Sequence, residues 1–378
     1  MLLKNLISNL RPELAALKIN GISFDSRSTK KGDLFVCIKG DKFDGNDYIN
    51  QAISKGAKVV IHSRKIKKNK KIKFIKFKDT RNILARISAK YYKKKPNNII
   101  AVTGTNGKTS ISDFFCQIFM LQKKRSGFIG TLGLRKNKSL KTRNLTTLDS
   151  LRLNKDLDEM KRNSIDNAII EASSHGLKQK RLDFLKVKAG IFTNLSHDHL
   201  DYHKNMKDYF NSKLLLFKKI LQKKATVITD TDIKQYETIK KIQNKRKLKL
   251  LTIGNKSNTL KILSHTIFTN YQLIEVSYQN KKYKLKINLY GSIQIKNLLM
   301  AILASKVCGL KIKNIFDKIE KIKSVDGRLQ LIRTLPNKSK VFIDYAHTPD
   351  ALGNSIISLK EHFKKKITVV FGCGGERD

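Results

Sequence analysis

Thr103-Gly104-Thr105-Asn106-Gly107-Lys108-Thr109 is the stretch that most limits what this chain can fold into. It follows the apolar run Asn98–Val102 and precedes a segment of helical spacing, Ser110–Leu121. A glycine-rich turn between a strand and a helix lets backbone amides curl round a phosphate, and the helix N-terminus adds its positive dipole end. Lys108 suits the β- and γ-phosphates of a nucleotide, and the Thr109 hydroxyl suits a Mg²⁺ ion. Val102 stands where the ordinary Walker spacing has glycine, so this is a compact variant of the loop.

Further apolar runs of strand length, Ala168–Ala172, Ala189–Asn194 and Ala225–Thr229, alternate with helical segments. That alternation predicts a mostly parallel sheet. Leu250–Leu289, rich in β-branched and aromatic residues, reads as added antiparallel strands, and Ile295–Val307 and Lys311–Ile322 close the unit. Ahead of it, Gly32–Ile38 and Ala57–His62 read as strands with the helix Tyr48–Lys55 between them. KIKFIKFK, within Arg64–Lys78, reads as an exposed edge strand. The helix Arg81–Tyr92 then ends at a charged, proline-containing linker, Lys93–Asn98. Behind the central unit, Lys340–Asp344, Ala351–Phe363 and Ile367–Phe371 read as strand, helix and strand. The expected domains are 1–88, 89–330 and 331–378. A domain needs ~100 residues to bury a core, so the last is expected to be incomplete and the chain a fragment.

The formal charge of +49 arises from 79 Lys and Arg against 30 Asp and Glu. Clustered lysines would neutralise nucleic-acid phosphates. Here the basic residues are spread over the whole length with no aromatic–basic stripe, so the reading is lysine bias and anionic ligands, with no nucleic acid. No apolar run approaches the ~20 residues of a membrane span, and the amphipathic N-terminus lacks the plan of a signal peptide. Cys37, Cys116, Cys308 and Cys373 are scattered, with no CxxC pair, as expected of reduced cytoplasmic thiols.

Two more motifs follow strands. Glu171, in EASSHGL, ends the run NAIIEA, where a carboxylate beside a phosphate loop suits Mg²⁺. After IFTN comes LSHDHLDYH, whose His197, His199 and His203 taken alone suggest a metal-dependent hydrolase. Tyr202 breaks the HxHxDH spacing, however, and a zinc hydrolase has no use for a phosphate loop. Lys213 lies on an amphipathic helix.

In order and over the entire chain, these motifs resemble the Mur ligases. SSHGL-x-Q-x-R in particular resembles the MurE-type, diaminopimelate- or lysine-adding ligases. The resemblance implies an α/β fold of three domains: a small UDP-binding domain, a central P-loop ATPase domain and an incomplete Rossmann-like C-terminal domain. It implies an ATP-dependent ligase adding meso-diaminopimelate to UDP-N-acetylmuramoyl-L-Ala-D-Glu through an acyl phosphate, in peptidoglycan biosynthesis and hence cell shape and division. L-lysine is the alternative amine, because the selectivity motif of the family falls beyond Asp378. ATP would be held by Gly104, Thr105, Asn106, Gly107, Lys108 and Thr109, with Asn297 at adenine, Asp344 at ribose and Arg328 closing over the nucleotide. Two Mg²⁺ ions would take Thr109, Glu171, His199 and a carbamylated Lys213. The precursor would meet Phe24, Ser26, Asp41, Lys42, Phe43, Thr146, Thr147, Ser173, Gln179 and Arg181, and the incoming amino acid Arg377. Leu148 replaces the proline of the family's TTPD pattern. A monomer is expected.

Overall fold

In the strands Leu34–Val36 and Val59–His62 every residue is buried, so successive side chains must meet apolar partners on both faces of their sheet. On one face Leu34, Val36, Val59 and Ile61 pack with Ile83, Leu84 and Ile87 of the helix Thr80–Tyr91. On the other, Phe35, Cys37 and Val60 pack with Ile49 and Ala52 of the helix Ile49–Ser54. Ile22–Ser23 and Lys73–Lys76 complete four parallel strands. Lys73–Lys76 is the expected edge: Phe74 and Ile75 take opposite faces while Lys73 and Lys76 stay exposed, which discourages pairing with another chain.

The computed structural model describes residues 1–40, 43–66, 72–136, 139–141 and 145–372. This sheet belongs to a unit made of Met1–Lys95, Leu148–Asn163 and Gly176–Leu185. The sequence assigns the two later segments to the central domain; instead they join the first 95 residues. The helix Ser150–Arg162 buries Leu153, Leu157 and Met160 along one face, and Leu151 packs on the cluster around the helix Thr80–Tyr91.

The second unit holds Pro96–Thr147, Ser164–His175 and Lys186–Asp378. Its P-loop strand, Asn98–Thr103, pairs in parallel with Asn167–Glu171 on one side and Val187–Phe192 on the other. The first flank continues to Gly127–Gly130, Gly133–Lys136 and Ser139–Lys141. The second continues to Leu221–Asp230, Lys249–Gly254 and the antiparallel strands Leu260–Ile267, Gln272–Tyr278 and Lys281–Ile287. The chain fills the first flank and then crosses to the second, so strand order reverses at Asn98–Thr103. Ligands of open α/β sheets collect at such a point, outside the carboxyl ends of the strands. The helix Ser292–Val307 is apolar almost all round and packs beside the P-loop helix Lys108–Leu121.

Past residue 329, Gln330–Thr334 pairs antiparallel with Lys340–Ile343, and the helix Pro349–Phe363 starts at a Thr348 cap. The expected strand Ile367–Phe371 does not form. Among the described residues none pairs with it, and Val370 is 95% exposed; a strand exists only where a neighbour accepts its backbone hydrogen bonds. No described helix is long and apolar enough to cross a membrane.

Candidate active site

The phosphate loop is over-determined by its neighbours. Gly104 has φ +142°, and a Cβ there would sit 1.8 Å from Thr193 Oγ1, so only glycine fits. Gly107, at φ +88°, lets Asn297 approach so closely that a Cβ would lie 2.4 Å from its Oδ1. The loop after Val187–Phe192 braces the turn. Thr105 N donates to Asn194 O (3.0 Å), Asn106 N to Asn194 Oδ1 (2.9 Å) and Thr193 Oγ1 to Asn106 O (2.6 Å). The helix begins at Lys108 with no side-chain cap, leaving its first amides turned towards the cleft, where an anion would satisfy them.

Glu171 ends its strand in register with Val102 and is 0% exposed. Its Oε1 accepts Thr131 N and its Oε2 the Thr131 hydroxyl, each at 3.0 Å. Burial pushes this carboxyl above its ordinary range, while the Lys108 ammonium pulls it back. Lys108 itself turns inward, donating to Gly104 O (2.9 Å) and Thr105 O (2.6 Å). Its own pKa is lowered by burial, against which Glu171 and Asp198 act.

Lys213, on the helix Met206–Leu215, is the surprise of the site. In so lysine-rich a chain the default is a solvated ammonium, yet Lys213 is 1% exposed. Its Nζ donates to Gly104 O at 2.8 Å and lies 4.1 Å from the centre of the Tyr209 ring. Burial, and then the neighbouring Lys108, hold its pKa well below the usual lysine range.

The three histidines expected of a metal-dependent hydrolase do not line one site. His197 is exposed. His203 is a buried strut, with Nε2 2.9 Å from Ser174 Oγ and Nδ1 3.3 Å from Asp208 Oδ2. Only His199 lines the cleft, at φ +55°; burial first, with Lys213 and Lys108, lowers its pKa and favours neutral imidazole. Among the described residues no three His, Cys, Asp or Glu side chains are grouped to hold a metal.

Across the cleft, Asn297 Nδ2 donates to Gln294 Oε1 (3.2 Å). Arg328 Nη2 reaches Thr109 Oγ1 at 3.4 Å, and its guanidinium sits 4.5 Å from the Tyr345 ring centre. Asp344 accepts Leu329 N and Ala346 N, both at 2.7 Å. These groups and the phosphate loop enclose a cleft of about 670 Å³.

The residues expected at the precursor divide between the units. Phe24, Ser26, Phe43, Gln179 and Arg181 lie in the first; Thr146, Thr147 and Ser173 lie in the second. Ser26 Oγ donates to Gln51 Oε1 (2.6 Å), and Gln179 Oε1 accepts from both Arg181 Nη2 (2.7 Å) and Arg81 Nη1 (3.2 Å). Thr147 Oγ1 donates to Glu171 O (2.7 Å) and accepts Ser173 N (2.9 Å); Thr146 and Ser173 line the cleft. Asp41, Lys42 and Arg377 lie outside the described residues. Sequence reading missed Thr131, Asp198 and Tyr209. Asp198, 8% exposed, accepts His199 N at 2.9 Å, and the Tyr209 hydroxyl lies 3.1 Å from Thr105 Oγ1. Both occur in or beside quoted motifs, whereas nothing in the sequence pointed to Thr131.

This architecture has known counterparts. Profiles of the Mur ligase family catalytic domain, the Mur ligase middle domain and the Mur ligase glutamate ligase domain match residues 18–92, 102–305 and 327–378. The chain is 39% identical over 378 residues to a UDP-N-acetylmuramoyl-L-alanyl-D-glutamate–2,6-diaminopimelate ligase of Rickettsia typhi, covering 98% of this chain and 75% of that protein. A solved structure of a ligase of the same name superposes with a TM-score of 0.82 at 29% identity, over 100% of this chain and 78% of that one. MurF from Acinetobacter baumannii, 18% identical, shares the fold with a TM-score of 0.67, over 91% of this chain and 72% of that one. Matched along nearly its whole length, the chain belongs to the Mur ligase family.

Proposed function

We propose that this protein is a MurE-type ligase that uses ATP to join meso-diaminopimelate to UDP-N-acetylmuramoyl-L-alanyl-D-glutamate in peptidoglycan biosynthesis. The observation that carries the reading is the convergence on one cleft of the phosphate loop, the buried Glu171, the inward Lys213 and Arg328. Likeness to the Rickettsia ligase supplies the substrates. The proposed domain plan is 1–88, 89–330 and 331–378, with Leu148–Asn163 and Gly176–Leu185 inserted from the second span into the first unit, and the working state is a cytoplasmic monomer.

The first amides of the helix Lys108–Leu121 and the Lys108 ammonium hold the ATP phosphates, with Asn297 at adenine and Asp344 at ribose. The donors present fit Mg²⁺: a carboxylate from Glu171, a hydroxyl from Thr109 and the imidazole of His199, completed by phosphate oxygens. Two Mg²⁺ ions, when bound, neutralise charge on the transferring phosphoryl group. Lys213 acts as a carbamate, which replaces the second of two crowded ammonium groups, Lys108 and Lys213, by an anion. Thr146, Thr147 and Ser173, with Phe24, Ser26, Gln179 and Arg181, position the precursor. Its D-glutamyl carboxylate attacks the γ-phosphorus, releasing ADP. The amine then attacks the acyl carbon, releasing phosphate. The contribution of the protein is placement and electrostatics.

The test is ligation by the whole natural protein with ATP, Mg²⁺ and the precursor, offering diaminopimelate and L-lysine in separate arms. ADP release and product mass are read. A diaminopimelate adduct is expected; a lysine adduct alone would change the amine, and no ATP-dependent adduct with either would overturn the reading.

A further inference from the structure

Thr109, Asp113 and Gln117 are spaced four apart on the P-loop helix, so they form one stripe along it. Each end of the stripe grips the connecting segment Lys323–Arg328. At one end the Gln117 amide pairs with the Lys323 peptide group: Nε2 donates to Lys323 O (3.1 Å) and Oε1 accepts Lys323 N (2.9 Å). At the other, the Arg328 guanidinium reaches the Thr109 hydroxyl. Between them Gly327, at φ +64° with open space around it, turns the segment back, and Arg328 N closes on Val325 O at 3.0 Å.

The middle of the stripe fixes the orientation of that amide. Gln117 Nε2 also donates to Asp113 Oδ2 (2.6 Å), which prevents the amide from flipping and exchanging its donor and acceptor. Asp113 is 3% exposed and ion-paired with Arg135, whose guanidinium lies 5.2 Å from the Phe128 ring centre. Arg135 and Phe128 are cross-strand partners in the hairpin that carries Thr131, the residue bonded to Glu171. One polar relay thus runs from that hairpin, through the P-loop helix, to the segment bearing Arg328.

We propose that Gln117 is a positioning residue for the ligase: its paired hydrogen bonds with Lys323, oriented by Asp113 and Arg135, set where Arg328 meets Thr109 and the nucleotide. This rests on the ATP-ligase reading of the cleft. Gln117 is only partly covered and touches neither the phosphate loop nor the cleft lining, so a merely structural role would lower thermal stability without coupling to Arg328.

A double-mutant cycle in the whole natural protein separates the two roles. Gln117→Met keeps the length and removes the hydrogen bonds. It should lower kcat/KM for ATP about tenfold with little change in Tm, and in an Arg328→Met background it should change kcat/KM less than about twofold. Gln117→Glu, which keeps an acceptor for Lys323 N but loses both donors, should give the same non-additivity and serves if the methionine variant folds poorly. Equal effects of Gln117→Met in both backgrounds, or an unchanged kcat/KM with lowered Tm, would overturn the proposal. A wild type that binds no ATP would instead fail the reading of the cleft on which it rests.

Discussion

Around the phosphate loop, side chains that folded proteins usually leave in water, Glu171 and Lys213, are 0% and 1% exposed. Beyond residue 329, side chains that they usually bury, Ile332, Val341 and Ile343, are 41–50% exposed. In the first region each inversion is answered by a bond: Glu171 by Thr131, Lys213 by Gly104 O. Charges held out of water and fixed by such bonds keep unusual protonation tendencies, which is what chemistry on a phosphoryl group needs. In the second region the two-stranded hairpin presents apolar side chains to solvent, and substitution there should matter little to the cleft.

Lys108→Met should break the first region most severely. Loss of its ammonium should lower ligation by about 10³-fold or more, read as kcat in the whole natural protein, while circular dichroism stays unchanged. Retention of more than about a tenth of the activity would mean that phosphate charge is met elsewhere. Lys213→Met should sharpen the contrast by moving activity and stability in opposite directions. Activity should fall at least about tenfold, yet replacing a buried ionisable group, amine or carbamate, by an apolar side chain should raise stability by about 1–4 kcal/mol, measured by urea denaturation. A destabilised variant would show that Lys213 is held for packing rather than for chemistry.

The sequence already displayed the phosphate loop, because a strand, two glycines, a lysine and a helix are all local features. The same holds for Glu171, at the end of an apolar run, and for the edge strand at Lys73–Lys76. What lay beyond it depends on register. Thr131 reaches Glu171 because Gly127–Gly130 pairs with Asn167–Glu171, with Ile129 opposite Ile170, and no residue of the hairpin advertises that alignment. The burial of Lys213 likewise follows from where its helix lies against Gly104, since its composition is that of many surface helices in this chain. Ile367–Phe371 shows the converse error: a run with strand propensity, and no strand, because pairing decides.

His362 tests the second region from one of its buried polar side chains. Its Nδ1 donates to Phe268 O (2.7 Å) and its Nε2 accepts Gly291 N (3.0 Å). Burial lowers its pKa below the ordinary histidine value of 6.5, helped by His265 and Lys340 and opposed by Phe268 O and Glu361. A lowered folded-state pKa means that the contribution is fully present above pH 6.5 and is lost as pH falls through the folded value, when Nε2 gains a proton and Gly291 N loses its acceptor. Thermal melts between pH 7.5 and 5 should therefore show wild type losing about 1 kcal/mol more than His362→Leu. Parallel curves would assign the histidine no such role. The smallest effect is expected at Ile343→Thr: on an exposed face, stability should move by no more than about 0.5 kcal/mol, and a larger loss would show that the hairpin face is covered in solution.

The discontinuous make-up of the first unit has a consequence for biosynthesis. A ribosome delivers Met1–Lys95 long before Leu148–Asn163 and Gly176–Leu185, the segments with which those residues pack. At roughly 5–20 residues per second, the interval between the first part and the last is on the order of 5–20 s. For the earlier part of that time, until Leu151 emerges, the apolar face of Thr80–Tyr91 that receives it is bare on the nascent chain. The N-terminal portion therefore cannot finish folding in order of emergence. A chaperone that shields apolar helices on ribosome-bound chains should engage this protein in that window and release it once residue 185 has cleared the exit tunnel.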